Sequence, residues 1–355
     1  MNSLNDMNHM KINLVLNLGP TENNARNGEG SFLRAPDGSI LFAYSRFNTE
    51  NWRDEAKCDI ALIRSYDEGN TWSFPEIIAR AKEDFGVDNI MSVSGVTQLD
   101  GSLGFYFIVL ENNGASTIGR VTSNDGKEFK TERCCCNFAE AYYVFNNDRI
   151  VRLKDGRLMY PLARCHGRSV ADYEGKYEMC CIFSEDDGKT FGSISSVVSI
   201  TERNCGSGLQ EPGAIELENG VIWLWARTDL GRQYQSFSYD GGKTFTNAEA
   251  SVFSSPCSPL EMFRAEDGSI YAAYNPIPYY NGRKIDGLID IGGRTPLIIR
   301  KSVDDGVNWG ICNIVEDDEN RGYCYPAMFI TKDNCMLCAY CRGGKEDACG
   351  LTDLE

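Results

Sequence analysis

Residues 65–72 read SYDEGNTW, and three close copies follow: SEDDGKTF at 184–191, SYDGGKTF at 238–245 and SVDDGVNW at 302–309. A shortened copy, SNDGKEF, spans 123–129. Successive copies begin 58, 61, 54 and 64 residues apart, a mean near 59. The residue types inside each copy suit a tight hairpin. The Asp carboxylate can accept backbone N–H bonds across the turn, the Gly can take the left-handed position, and the closing aromatic ring can pack into a core.

A second repeat, independent of the first, has the same period. Turn dipeptides fall at Asp37-Gly38, Asp100-Gly101, Asp155-Gly156, Asn219-Gly220, Asp267-Gly268 and, more loosely, Asp333-Asn334. Strand-like alternation flanks them, as in SFLRAPDGSILFAY (31–44) and EMFRAEDGSIYAAY (261–274), which is the strongest short-range hairpin signal. One unit therefore reads strand, Asp-Gly turn, strand, loop, strand, Asp-rich box, strand. A chain of 355 residues holds six such units. The expectation is an all-β fold: a six-bladed β-propeller of four-stranded antiparallel blades, forming one domain over residues 1–355. The sixth box is missing, and the alternation around Lys11 to Leu18 predicts an N-terminal strand that completes the last blade.

Composition excludes several function classes. Acidic residues outnumber basic ones 51 to 35, for a net charge of −16, and no basic patch appears, so nucleic acid and anionic membrane surfaces are not expected partners. No apolar run is long enough to span a bilayer, and the first residues lack the pattern of a secretory signal. Fifteen cysteines, an odd number in a long chain, read as reduced thiols, which together with the missing signal points to the cytoplasm. Cys335, Cys338 and Cys341 are spaced like iron–sulfur ligands, but Lys345 stands where a fourth ligand would follow, and CMLCAYC reads better as a strand. His9 and His166 are the only histidines, so a His-rich metal site is ruled out. His166 is expected to be structural or loop-exposed.

The boxes resemble the Asp-box repeat of the sialidase (neuraminidase) superfamily, over nearly the whole chain. The box is a structural signature and implies fold rather than activity. The repeat register then says where a site must lie. Asp-Gly turns and boxes occupy one end of each blade, so the start of strand one, the end of strand two and the start of strand three lie at the other. Glu211 and Tyr325 each stand eight residues before their turn, and Arg26 eleven before its own. Arg227 ends a second strand and Arg294 begins a third. Asp54 and Asp59 lie in and after the loop before strand three of blade one. Arg149 sits near the start of strand one in blade three, where it lines the pocket or supports it.

That inventory suits an acidic carbohydrate of the sialoside type. Guanidinium forks bind a carboxylate bidentately. A neutral tyrosine nucleophile, its proton taken by a glutamate, avoids repulsion from a carboxylate on the anomeric carbon. An aspartic acid then protonates the leaving oxygen. The resemblance implies these roles residue by residue: Glu211 as the glutamate, Arg227 and Arg294 as the second and third arginines, and Tyr325 as the nucleophile, with no metal or organic cofactor. The first arginine would be Arg26, with Arg34 as the alternative, because Arg-Asn-Gly-Glu replaces the family's Arg-Ile-Pro. That replacement also puts Glu29 in the pocket as an extra acid. The acid is Asp54 or Asp59, the loop position favouring Asp54. Transfer to another acceptor, a different acidic sugar, or glycan binding without catalysis are the alternatives.

Overall fold

The structure, a computed structural model, describes residues 11–165, 176–278, 294–344 and 351–355; His9 and His166 lie outside them. Its strands group into six successive antiparallel units arranged as a propeller. Blade one comprises Arg26–Arg34, Ile40–Phe47, Cys58–Ser65 and Glu76–Ala79. Blade two comprises Asn89–Thr97, Leu103–Leu110, Ser116–Ser123 and Lys130–Arg133. Blades four (Gln210–Glu216 to Glu249–Ser254) and five (Glu261–Arg264 to Asn313–Glu316) are likewise four-stranded.

Blades three and six depart from the pattern. The inner strand of blade three is broken into Tyr143–Val144 and Val151–Arg152, with residues 145–150 outside the ladder. Blade six has two long strands, Arg321–Ile330 and Met336–Gly344, and a third of only two residues, Asp353–Leu354. The expected N-terminal strand at Lys11–Leu18 does not form. Only Leu18 pairs, as a single bridge to Leu354, and the C-terminal residues supply what outer strand there is. The shortened edge leaves a 480 Å³ groove between blades five, six and one, walled by Leu14, Trp72, Tyr271 and Leu337 and holding none of the expected site residues.

Apolar side chains are buried between blades rather than within one central core. Leu33, Leu41, Val93 and Phe105 join blades one and two; Tyr106, Ile118, Leu158 and Tyr160 join two and three; Trp223, Phe253, Ile270 and Tyr274 join four and five. The closing aromatics of the boxes belong to these layers: Phe191 is fully buried, and Trp72, Phe129, Phe245 and Trp309 pack against them. Inside the four full-length boxes the expected carboxylate bonds are present, with a serine bond beside them. Ser65, Ser184, Ser238 and Ser302 accept the Gly N–H at 2.8–2.9 Å, and each Gly has φ between 81° and 90°. Asp67, Asp186, Asp240 and Asp304 accept the N–H four residues on at 2.8–2.9 Å.

Those bonds give an expected pH dependence. The Thr244 hydroxyl and N–H pull the Asp240 carboxyl down to about 2, and Asp67 and Asp304 are lowered by the same kind of contact. A folded-state value below the unfolded value of about 3.9 means the contribution is complete above about pH 5 and lost as pH falls toward 2. The boxes' share of the thermal midpoint should be constant from pH 7 to 5 and fall below it, and Asp240→Asn should flatten that fall. An equal acid slope in the variant would assign the acid sensitivity elsewhere.

The register of the two repeats is as expected: turns and boxes share one end. Arg34 donates to Gly38 O of its own turn and bidentately to Glu68 of its own box, at 2.9 and 2.8 Å. Arg264 repeats the brace in blade five, with Gly268 O and Asp305. Arg34 is therefore committed to the box end, which removes it as the first arginine of the site.

Candidate active site

At the opposite end, the inner strands carry a repeated irregularity. The ladders of blades one, two, four and six slip at Gly28/Ser31, Met91/Ser94, Gln210/Gly213 and Cys324/Ala327. In each bulge one non-glycine residue takes the left-handed region: Glu29 (φ 57°), Ser92 (63°), Glu211 (46°) and Tyr325 (55°). A bulge leaves its extra residue unpaired and re-aims its side chain. Here four side chains turn toward the axis. Backbone strain at four equivalent points is a device for building a site.

The bulges bring Tyr325 and Glu211 together across the axis. The Tyr325 hydroxyl donates to Glu211 Oε1 at 3.1 Å. Arg227 Nη1 approaches Glu211 Oε2 at 2.9 Å, and its Nε donates to Gln210 Oε1 at 3.2 Å. Arg294 lies 5.8 Å from the Tyr325 ring centroid, its Nη2 donating to Cys257 O at 3.2 Å and its Nη1 facing Cys324 Sγ at 3.3 Å. Burial and the Glu211 charge push the Tyr325 hydroxyl well above its ordinary value, against the pull of Arg227 and Arg294. The phenol therefore stays protonated near neutral pH unless a base takes its proton. Burial alone would lower the Arg227 guanidinium, but Glu211 and Tyr325 hold it above its usual value.

Arg26 closes the other side. Its Nη2 meets Glu29 Oε1 and its Nη1 meets Asp54 Oδ1, both at 2.5 Å, with the Phe47 ring 4.7 Å away. Glu29 also accepts the Ser92 hydroxyl, from the neighbouring bulge. The two acids differ in exposure. Arg26 and Glu29 side chains are 6% and 5% exposed, whereas Asp54 is 68% exposed on its loop. Burial raises the Glu29 carboxyl against the pull of Arg26, and the charges of Asp54 and Glu211 add to the rise. Glu29 and Ser92 stand eight residues before Asp37 and Asp100, so the register that singles out Glu211 and Tyr325 also marks them. No sequence signal marks Tyr142, whose hydroxyl is pushed up by burial and by the charges of Asp54, Glu211 and Glu29.

Two expected members lie elsewhere. Asp59 accepts Ala81 N–H at 2.8 Å and Asn48 Nδ2 at 2.5 Å, so its carboxylate is spent on the start of a short helix, Ala81–Phe85, and not on the cluster. Arg149 is buried in an ion pair with Glu261, donates to Leu260 O at 2.7 Å and lies 5.9 Å from the Trp225 ring centroid. It is a strut between blades three, four and five, and its fork is occupied. Cys335 is exposed just before the strand Met336–Gly344, which carries the half-buried Cys338 and the buried Cys341, and among the described residues no group of three potential ligands could hold a metal.

Comparison with known proteins agrees with this architecture. The model of the family described as "BNR repeat-like domain" matches residues 49–338. No curated protein matches the chain. Among solved structures, a protein of unknown function from Dyadobacter fermentans is similar at 17% identity, with a TM-score of 0.69 and coverage of 92% of this chain and 94% of that one. The NanB sialidase of Streptococcus pneumoniae is similar at 15% identity and TM-score 0.66, over 93% of this chain and 67% of its own. The intramolecular trans-sialidase of Ruminococcus gnavus, solved with oseltamivir carboxylate, is similar at 13% identity and TM-score 0.65, over 92% of both chains. At these identities the likeness is one of fold: a sialidase-like propeller.

Proposed function

The chain belongs to the family of BNR repeat-like domains, and from that footing we propose that it is a sialidase-like glycoside hydrolase that releases a terminal sialic acid, or a closely related acidic sugar, with retention. The observation that carries this reading is the 3.1 Å hydrogen bond from Tyr325 to Glu211, set between the guanidiniums of Arg227 and Arg294. A binding site has no need of a phenol aimed at a buried carboxylate. A nucleophile does.

In this reading the substrate carboxylate is held by Arg26, Arg227 and Arg294. Glu29 stays on Arg26, while the exposed Asp54 gives up its place there and turns to the glycosidic oxygen. Asp54 protonates that oxygen as the Tyr325 oxygen bonds to the anomeric carbon and Glu211 takes the phenolic proton. Asp54, now ionised, activates the water that cleaves the tyrosyl–sugar bond, and Glu211 returns the proton to Tyr325. An alcohol in place of water would make the same intermediate a glycosyl donor. Incubation with a fluorogenic sialoside, followed by analysis of the products, tests the reading. Release of the fluorophore with free sugar supports hydrolysis, an anhydro or transferred sugar supports transfer, and saturable binding without release would leave a glycan-binding propeller.

The arginines carry a separate expectation. Arg294→Lys keeps the charge but loses the planar fork, so the apparent KM should rise by about tenfold, on the order of 1.4 kcal/mol, with kcat changed less. A variant with unchanged KM would place the substrate carboxylate away from Arg294.

A further inference from the structure

Among the described residues, only blade three has its inner strand broken in two. Residues 145–150 leave the ladder, and Asn147, Asp148 and Arg149 bond instead to residues of other blades. Asn147 is 1% exposed, and its Nδ2 faces three carbonyls: Gly30 O at 3.0 Å, Tyr325 O at 3.3 Å and Pro326 O at 3.5 Å. Carbonyls only accept, so the amide nitrogen, and not its oxygen, must point at them. Gly30 follows Glu29 in the bulge of blade one, and Tyr325 is itself the bulge residue of blade six.

The neighbouring residues tie the same segment to blades one, two, four and five. Asp148 N donates to Val93 O at 2.9 Å, and its carboxylate accepts the Ser31 hydroxyl at 2.5 Å. Arg149 N donates to Ser94 Oγ at 2.8 Å, and the Ser94 hydroxyl donates to Asn146 O at 3.3 Å. The Arg149 guanidinium reaches Leu260 O and Glu261 in blade five, over Trp225 of blade four. A left-handed non-glycine residue persists only where its surroundings over-determine it. For Tyr325, the group that reaches its own carbonyl from another blade is Asn147.

We propose that Asn147 is a positioning residue for Tyr325: with the two N–H of its amide shared among Gly30 O, Tyr325 O and Pro326 O, it holds the bulges of blades one and six in the geometry that presents the phenol to Glu211. The role assigned to Tyr325 rests on the function proposed above; the clamp itself does not. Rate should therefore depend on Asn147 chiefly through Tyr325, because chemistry loses orders of magnitude when a reacting group is displaced by about 1 Å.

Two variants remove the donor: Asn147→Asp, which keeps the shape and sets an acceptor against three acceptors, and Asn147→Ala, which adds no charge. The expected result is a fall in kcat of about 10–10² with KM within about twofold, and no further loss when Asn147→Ala is added to Tyr325→Phe. Wild-type kcat in Asn147→Ala, or an equal further loss in the Tyr325→Phe background, would overturn the proposal. Amide hydrogen exchange on the folded Asn147→Ala protein decides the clamp without any substrate. Protection should fall in the peptide over 323–328 and stay unchanged in 210–216, where Asn147 makes no bond. Unchanged exchange in 323–328 would overturn the clamp. A wild-type protein that cleaves no sialoside would instead overturn the proposed function, and the exchange result would still decide the clamp.

Discussion

Tyr325→Phe should lower kcat by a factor on the order of 10² or more and leave KM nearly unchanged, because the substitution removes one oxygen and no binding surface. Glu211→Gln should behave alike, since an amide cannot accept the phenolic proton in the same way. The double variant should be little worse than either single one. The two side chains meet through a single 3.1 Å hydrogen bond and act as a unit, so their losses cannot add. Steady-state kinetics on a fluorogenic sialoside give all three values. Additive losses would mean that Glu211 and Tyr325 serve separate steps.

The second large effect concerns stability. Arg149 and Glu261 form an ion pair with side chains 2% and 5% exposed. Removing one partner leaves an uncompensated buried charge, a loss of about 3–5 kcal/mol. Arg149→Met and Glu261→Leu should each lower the unfolding free energy, measured by urea titration, by that amount. The combined variant should recover most of it, because two apolar side chains of similar volume can fill the site. Single variants within about 1 kcal/mol of the wild type would show that the pair contributes little, and that blades three and five are held by their other contacts.

The repeats were readable from sequence because the box depends on residue chemistry that few substitutes provide. A hydroxyl must accept the Gly N–H, a carboxylate must accept two more donors, and a Gly must take φ near +85°. The identities of Ser65, Asp67 and Gly69 therefore persist as a pattern with a period. The register then located Glu211 and Tyr325, and it extends to Glu29 and Ser92 because one bulge recurs eight residues before four of the turns. What escaped the pattern was set by partners distant in the chain. Asp59 looks as suitable as Asp54 until Asn48 and the N–H of Ala81 occupy it. Arg34 looks as available as Arg26 until Glu68 takes its fork. Arg149 was legible as a residue near the axis, but its ion pair with Glu261 spans 112 positions of sequence and leaves no local trace.

The strand expected at Lys11–Leu18 failed for a related reason. Alternation sets which residues share a face, and it does not supply a paired edge. The outer edge of blade six bonds instead to Asp353, Leu354 and Glu355, leaving Leu18 to pair with Leu354 by a single backbone bridge. The inner strand of blade three, whose start was expected near Arg149, joins the ladder only as Tyr143–Val144 and Val151–Arg152. Its NNDR segment is spent on carbonyls and side chains across the axis, and a backbone committed there cannot also complete a ladder.

Retention through Tyr325 requires a covalent sugar–tyrosine intermediate, and trapping it tests that step. A sialosyl fluoride with a second fluorine beside the anomeric carbon forms such an intermediate by loss of fluoride, while the remaining fluorine slows its hydrolysis through a destabilised oxocarbenium-like transition state. After incubation and proteolysis, mass spectrometry should find the sugar's added mass on the peptide containing Tyr325, and no label in Tyr325→Phe. Turnover of a sialoside with the label on Glu211, Glu29 or Asp54, or with no covalent label at all, would contradict the account.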